Sequence, residues 1–260
     1  MLMRYFLLIL LGSLLVSMSY PTTASPQQGV FAKVGDSITA AEWFLYPIGN
    51  GGFHPEGYGN LLPVVEHFTQ ETFNSFNHHS AAATPGWTSS DLLTPDMRNS
   101  SPNSAGCEAG ETPLACEYRL IQPSVALIMI GTNDVLRGFD KETFQNNLRE
   151  ILRVTREFNV QPILSTIPDI RLGNPEMEGK VYEFNAIIFA LGNEYGALIW
   201  DYWAALQDLP NLGLSGDGVH PSAPANGETG VMTAENLKHG YTIRNLTALN
   251  MLNIAMQQGY

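Results

Sequence analysis

Ser37 stands just past the apolar run Val30 to Val34, in the stretch Gly35-Asp36-Ser37-Ile38-Thr39. A serine hydroxyl delivered at a strand tip can attack a carbonyl carbon when an imidazole takes its proton. Such an imidazole occurs far downstream in "SGDGVHPSAP", where Asp217 and His220 lie three apart in a loop bounded by Gly and Pro. That spacing lets the carboxylate hold one ring nitrogen while the other faces a serine. A third group follows another apolar run: "IMIGTNDV" places Asn133 where its side-chain amide can donate to a developing oxyanion. Each signal also has an ordinary reading, since D-G before H-P is common loop chemistry and an Asn after a strand often caps a helix.

Other chemistries fit these residues less well. The turn at Gly35 has one glycine and an acid, without the pattern G-x-G-x-x-G or G-x-x-x-x-G-K-[ST], which argues against a phosphate cradle. The serine elbow G-x-S-x-G fails at Thr39, so a nucleophilic Ser37 belongs to a different architecture. His78 and His79 are adjacent and would point to opposite faces of a strand, and no H-E-x-x-H pattern joins them, so no metal is expected.

These groups need a scaffold that brings strand ends together. Candidate strands are Val30 to Val34, Thr72 to Asn77, Val125 to Ile130, Pro162 to Thr166 and Ala197 to Trp200. Between them, Lys141 to Asn159 places Phe144, Leu148, Ile151, Leu152 and Thr155 on one helical face behind the cap Asp140. Glu178 to Tyr195 and Thr233 to Met256 read as further helices, the last capped by Thr233. Alternating strands and helices predict a parallel sheet of about five strands covered on both faces, with ligands beyond the strands' carboxyl ends. Residues 41 to 60 and 97 to 117, rich in Gly, Pro, Asn and Ser, read as long loops over that edge. Trp43, Phe44, Tyr46 and Trp87 follow the candidate turns in sequence; they fit either a core or the wall of an acyl or sugar pocket.

The chain has 260 residues, enough for one large core, with no interdomain linker. Residues Tyr5 to Val16 form an apolar run behind Arg4, followed by small residues, as in a secretory leader. Residues 1–24 are therefore expected to be removed on export, leaving one domain over 25–260. The run is shorter than the ~20 residues of a spanning helix, although an uncleaved anchor is the alternative. Lys and Arg number 13 against 25 Asp and Glu, a formal charge of −12, which disfavours nucleic acid and anionic lipid. Cys107 and Cys116 are the two cysteines; in an exported chain they suggest a local disulfide, with two free thiols or half a metal site as alternatives. "NSS" at Asn99 and "NLT" at Asn245 match the glycosylation pattern.

Taken together, "GDSIT", "GTND" and "DGVHP" in this order resemble the SGNH (GDSL-like) hydrolases, a family of esterases and lipases. The resemblance runs from about Val30 to beyond His220. It implies a flavodoxin-like three-layer sandwich and a serine hydrolase acting on carboxylic esters, such as carbohydrate acetyl esters, short-chain esters or lysophospholipids, without a cofactor. It also implies that Ser37, His220 and Asp217 are nucleophile, base and acid. The oxyanion hole would be the Ser37 N–H, the Asn133 amide and the N–H of Gly86, the glycine in "AATPGWTSSDLL" that best fits the family's second block. Asn is frequent ahead of that glycine in relatives, and "HHSAAATPG" departs from this. A binding module that keeps this fold without turnover is the competing reading.

Overall fold

A computed structural model describes residues 25–260, so the expected leader at 1–24 lies outside the described residues, as does the side chain of Asn99. Short apolar runs form four strands: β1 (Gln27–Gly35), β2 (Pro123–Met129), β3 (Gln161–Ser165) and β4 (Leu198–Trp200). They pair in parallel in the order β1-β2-β3-β4. Every residue of β2 and β3 is buried, as it must be in strands covered on both faces. The helices are α1 (Ser37–Ala40), α2 (Leu62–His67), α3 (Pro113–Ile121), α4 (Thr132–Leu136), α5 (Lys141–Glu157), α6 (Pro175–Glu194), α7 (Tyr202–Leu206) and α8 (Gly240–Gln257). α5 packs between α3 and α6, while α8 packs against α2 and α7. The expected α/β sandwich is present, and no helix among the described residues is long and apolar enough to cross a membrane.

Helix α5 follows from its sequence directly. Its five predicted face residues are all buried, and Asp140 accepts the Thr143 N–H at 2.8 Å. The predicted strand Thr72 to Asn77 is absent, because the Asn74 side chain accepts the Phe76 N–H at 3.1 Å and closes a local turn. Its place beside β1 is taken by residues 80–84. There the Gly35 N–H donates to the Ala82 carbonyl at 2.9 Å and the Thr84 N–H to the Gly35 carbonyl at 3.3 Å, one parallel bridge without a ladder.

Three boundaries also move. α6 starts at Pro175 because Asn174 accepts the Glu176 N–H at 3.1 Å, a cap hidden behind the proline. Thr233 accepts the Asn236 N–H at 3.2 Å ahead of a single turn at Asn236–Lys238, and α8 begins later, at Gly240, where a Cβ would lie 2.2 Å from the Gly213 carbonyl oxygen. The loop predicted over 97–117 ends at Thr112, whose hydroxyl caps α3 by accepting the Ala115 N–H at 3.2 Å. Residues 41–60 contain helical turns at Ile48–Gly52 and from Glu56 onward. Cys107 and Cys116 form a disulfide with Cα atoms 5.3 Å apart.

Candidate functional site

β1 runs straight into the turn that carries Ser37. Asp36, fully buried, accepts the Ile38 N–H at 2.9 Å, and its burial pushes its carboxyl up to about 6. Arg244 lies beneath the same turn, 1% exposed, and donates to the Ile38 carbonyl and, at 2.9 Å, to the Thr39 hydroxyl. Its guanidinium stacks 3.8 Å from the Phe44 ring centre. The turn is thus held from below by a buried cation.

Ser37 Oγ lies 2.9 Å from His220 Nε2, and His220 Nδ1 lies 2.7 Å from Asp217 Oδ2. An ionised carboxylate can only accept, so Nδ1 carries the proton and Nε2 is left to accept from the serine. Partial burial alone would raise the Asp217 carboxyl. The N–H groups of Val219 and His220, the His220 ring and the Ser215 hydroxyl reverse that and hold it well below the usual carboxylate range. The loop is braced on itself, because the Ser215 N–H donates to the His220 carbonyl at 2.8 Å. Gly218 closes against the Arg171 carbonyl, which would sit 2.5 Å from a Cβ there.

The remaining predicted donors gather beside this turn. Gly86 has φ of +81°, a conformation that disfavours any side chain, and follows the segment bonded to Gly35. Asn133, the second residue of α4, gives one of its two amide hydrogens to the Trp87 carbonyl at 2.9 Å. Its other hydrogen remains for a ligand. Among the described residues, the N–H groups of Ser37 and Gly86 have no bonded acceptor. Asp134, next to Asn133, accepts the Ser89 N–H at 2.9 Å and the Ser89 hydroxyl, which ties the Gly86 segment to α4. Burial pushes this carboxyl up.

A cleft of about 520 Å³ opens over Ser37 and His220, walled by Ala41, Trp43, Ala223 and Tyr241. Trp43 presents its ring there at 36% exposure. The Trp87 side chain is 3% exposed and packs in the core, so only its carbonyl serves the site. Phe44 is buried under Arg244, and Tyr46 packs against His79. His78 and His79 lie in no strand; His78 bonds the buried Glu117 at 2.9 Å, and His79 faces the Tyr46 hydroxyl at 3.2 Å. Arg244 and Arg137, which bonds the Gly86 carbonyl at 2.6 Å, had no signal in the sequence, since long side chains reaching distant carbonyls leave no local pattern.

The model of the GDSL-like Lipase/Acylhydrolase family matches residues 34–226. Thioesterase 1/protease 1/lysophospholipase L1 of Escherichia coli is 32% identical over 106 residues, covering 40% of this chain and 49% of that protein. A multidomain esterase of Ruminococcus flavefaciens is 30% identical over 128 residues, covering 46% of this chain and 16% of the relative. The matches thus span half or less of these relatives. An acetylxylan esterase structure from Geobacillus stearothermophilus aligns with TM-score 0.52 and 20% identity over 88% of this chain and 96% of its own. A GDSL-like lipase from Bacteroides thetaiotaomicron aligns with TM-score 0.54 and 16% identity over 89% and 92%. Both share the fold.

Proposed function

The chain belongs to the GDSL-like lipase/acylhydrolase family, and from that premise we propose that it is an exported serine hydrolase that cleaves carboxylic esters through an acyl-enzyme. The observation that carries this reading is the unbroken chain of hydrogen bonds Ser37–His220–Asp217 at the floor of an open cleft. Ser37 Oγ attacks the ester carbonyl as its proton passes to His220 Nε2, and Asp217 stabilises the imidazolium. Negative charge on the former carbonyl oxygen meets the Ser37 N–H, the Gly86 N–H and the free Asn133 amide hydrogen, donors already oriented before reaction. His220 then protonates the leaving alcohol, and water, deprotonated by the same nitrogen, releases the acid. No step requires a metal or an organic cofactor.

The substrates proposed are carbohydrate acetyl esters, short-chain esters or lysophospholipids. Apolar walls from Ala41, Ala223 and Pro224 suit an acyl group, and the Trp43 ring offers a stacking face to a sugar or chain. Export is supported by the apolar leader and the disulfide.

The test is turnover of a simple ester together with labelling by a fluorophosphonate, comparing the wild-type protein with Ser37→Ala. We expect labelling confined to Ser37, and loss of turnover by orders of magnitude in the variant. A folded Ser37→Ala protein keeping more than a few per cent of the activity would remove Ser37 from the mechanism. A wild type that never labels would favour a silent binding module.

A further inference from the structure

Arg137 ends α4 in a chain with 25 acidic and 13 basic residues, yet among the described residues it pairs with no carboxylate. Its guanidinium instead donates 2.6 Å to the carbonyl of Gly86. One turn earlier on the same short helix, Asn133 donates 2.9 Å to the carbonyl of the next residue, Trp87. The bracket closes through the backbone, because the Arg137 N–H bonds the Asn133 carbonyl at 2.9 Å. Two successive carbonyls of the glycine segment are therefore gripped by two side chains four residues apart.

We infer that Arg137 is a positioning residue of the oxyanion hole, fixing Gly86 so that its N–H and the Asn133 amide bear on one point. The inference rests on the esterase reading above. Gly86 needs such a grip: it has no side chain, lies at φ of +81°, and follows a segment that touches β1 through one bridge and no ladder. A built Cβ on Gly86 would find one neighbour within 4 Å, the Arg137 guanidinium at 3.9 Å, so beyond its chain neighbours little packs directly over the glycine itself. A charge-assisted bond from a planar guanidinium supplies direction as well as attraction. Donors serve an oxyanion only while already aimed, so freedom at Gly86 costs rate and spares ground-state binding.

Arg137 is exposed, so its replacement leaves no cavity and no buried unpaired charge. The experiment compares wild type, Arg137→Ala, Arg137→Lys and Ser37→Ala in three measurements: kcat and KM on a simple ester, fluorophosphonate labelling rate, and melting temperature. For Arg137→Ala we expect kcat and labelling rate to fall about tenfold, with KM changed less than twofold and melting within about 2 °C of wild type. Arg137→Lys, which keeps one donor of shorter reach, should recover part of the rate. Unchanged kcat and labelling in Arg137→Ala, beside an active wild type and a dead Ser37→Ala, would overturn this inference alone. So would a loss confined to KM, which would make Arg137 a substrate contact, or a loss that tracks melting. A wild type that neither turns over nor labels would overturn the esterase reading and this inference with it.

Discussion

Arg244 holds Thr39 from beneath the nucleophile turn, with Nη2 2.9 Å from the threonine hydroxyl while Nη1 donates to the Ile38 carbonyl. Both acceptors are buried, and an acceptor stripped of its partner costs ~1 to 3 kcal/mol. Arg244→Met should therefore destabilise by about 3 kcal/mol, a drop of about 6 to 12 °C in melting temperature for a chain of this size. Calorimetry checks it. A shift under 2 °C would mean that the guanidinium contributes little to the turn.

Asp217 fixes which nitrogen of His220 faces Ser37. Asparagine at 217 can donate to Nδ1, which drives the proton onto Nε2, where it cannot accept from the serine. Asp217→Asn should lower kcat by about 10²- to 10⁴-fold with the fold intact. Steady-state kinetics beside circular dichroism test this, and a loss under threefold would deny Asp217 the orienting role.

Lys33 makes stability depend on alkali. It is 1% exposed on β1, donates to the Phe76 carbonyl at 2.8 Å and lies 3.6 Å above the Tyr46 ring centre. Burial pulls its ammonium down to about 7 from 10.5, with the Glu117 charge opposing. The folded chain then prefers the neutral amine. Its contribution is full above 10.5 and is lost as pH falls through about 7. Urea unfolding at several pH values should show wild type gaining on Lys33→Met between pH 7 and 10; a constant difference would mean that the amine stays charged.

The Cys107–Cys116 bridge closes a short loop ahead of the buried start of β2. On the loop-entropy model it contributes about 2 to 3 kcal/mol. Replacing both cysteines by serine should lower melting by about 5 to 10 °C and leave fluorophosphonate labelling of Ser37 unchanged. Lost labelling at a temperature where the variant is folded would tie the bridge to the site.

The sequence was most legible where one local rule sufficed. β1, β2 and β3 are built on short apolar runs, α5 carries its own periodicity and cap, and Asp217 and His220 meet within three residues. "TFNSFN" misled because its Thr and Phe residues favour a strand, while Asn74 spends its side chain on its own turn. The segment that does lie along β1, "SAAAT", has almost no β-branched or aromatic residue and is held by two backbone bonds at Gly35. Asn245 shows the same limit. Its motif reads as a glycan acceptor, yet the side chain is buried, accepts from Leu45 at 2.9 Å and donates to Trp43 and Thr229 carbonyls. Its partners lie far away in sequence, where no local pattern reaches.

The brace from Ser215 to His220 makes the acid and the base of the triad one mechanical unit. Acid and base ride together on one closed loop, and the 2.9 Å contact from His220 to Ser37 is where that unit meets the rest of the machinery. Strain that parts His220 from Ser37 would leave the imidazole still held by its carboxylate. Inactivation and unfolding then become separable events, so under gentle heating the protein should fall silent before it melts and recover on cooling.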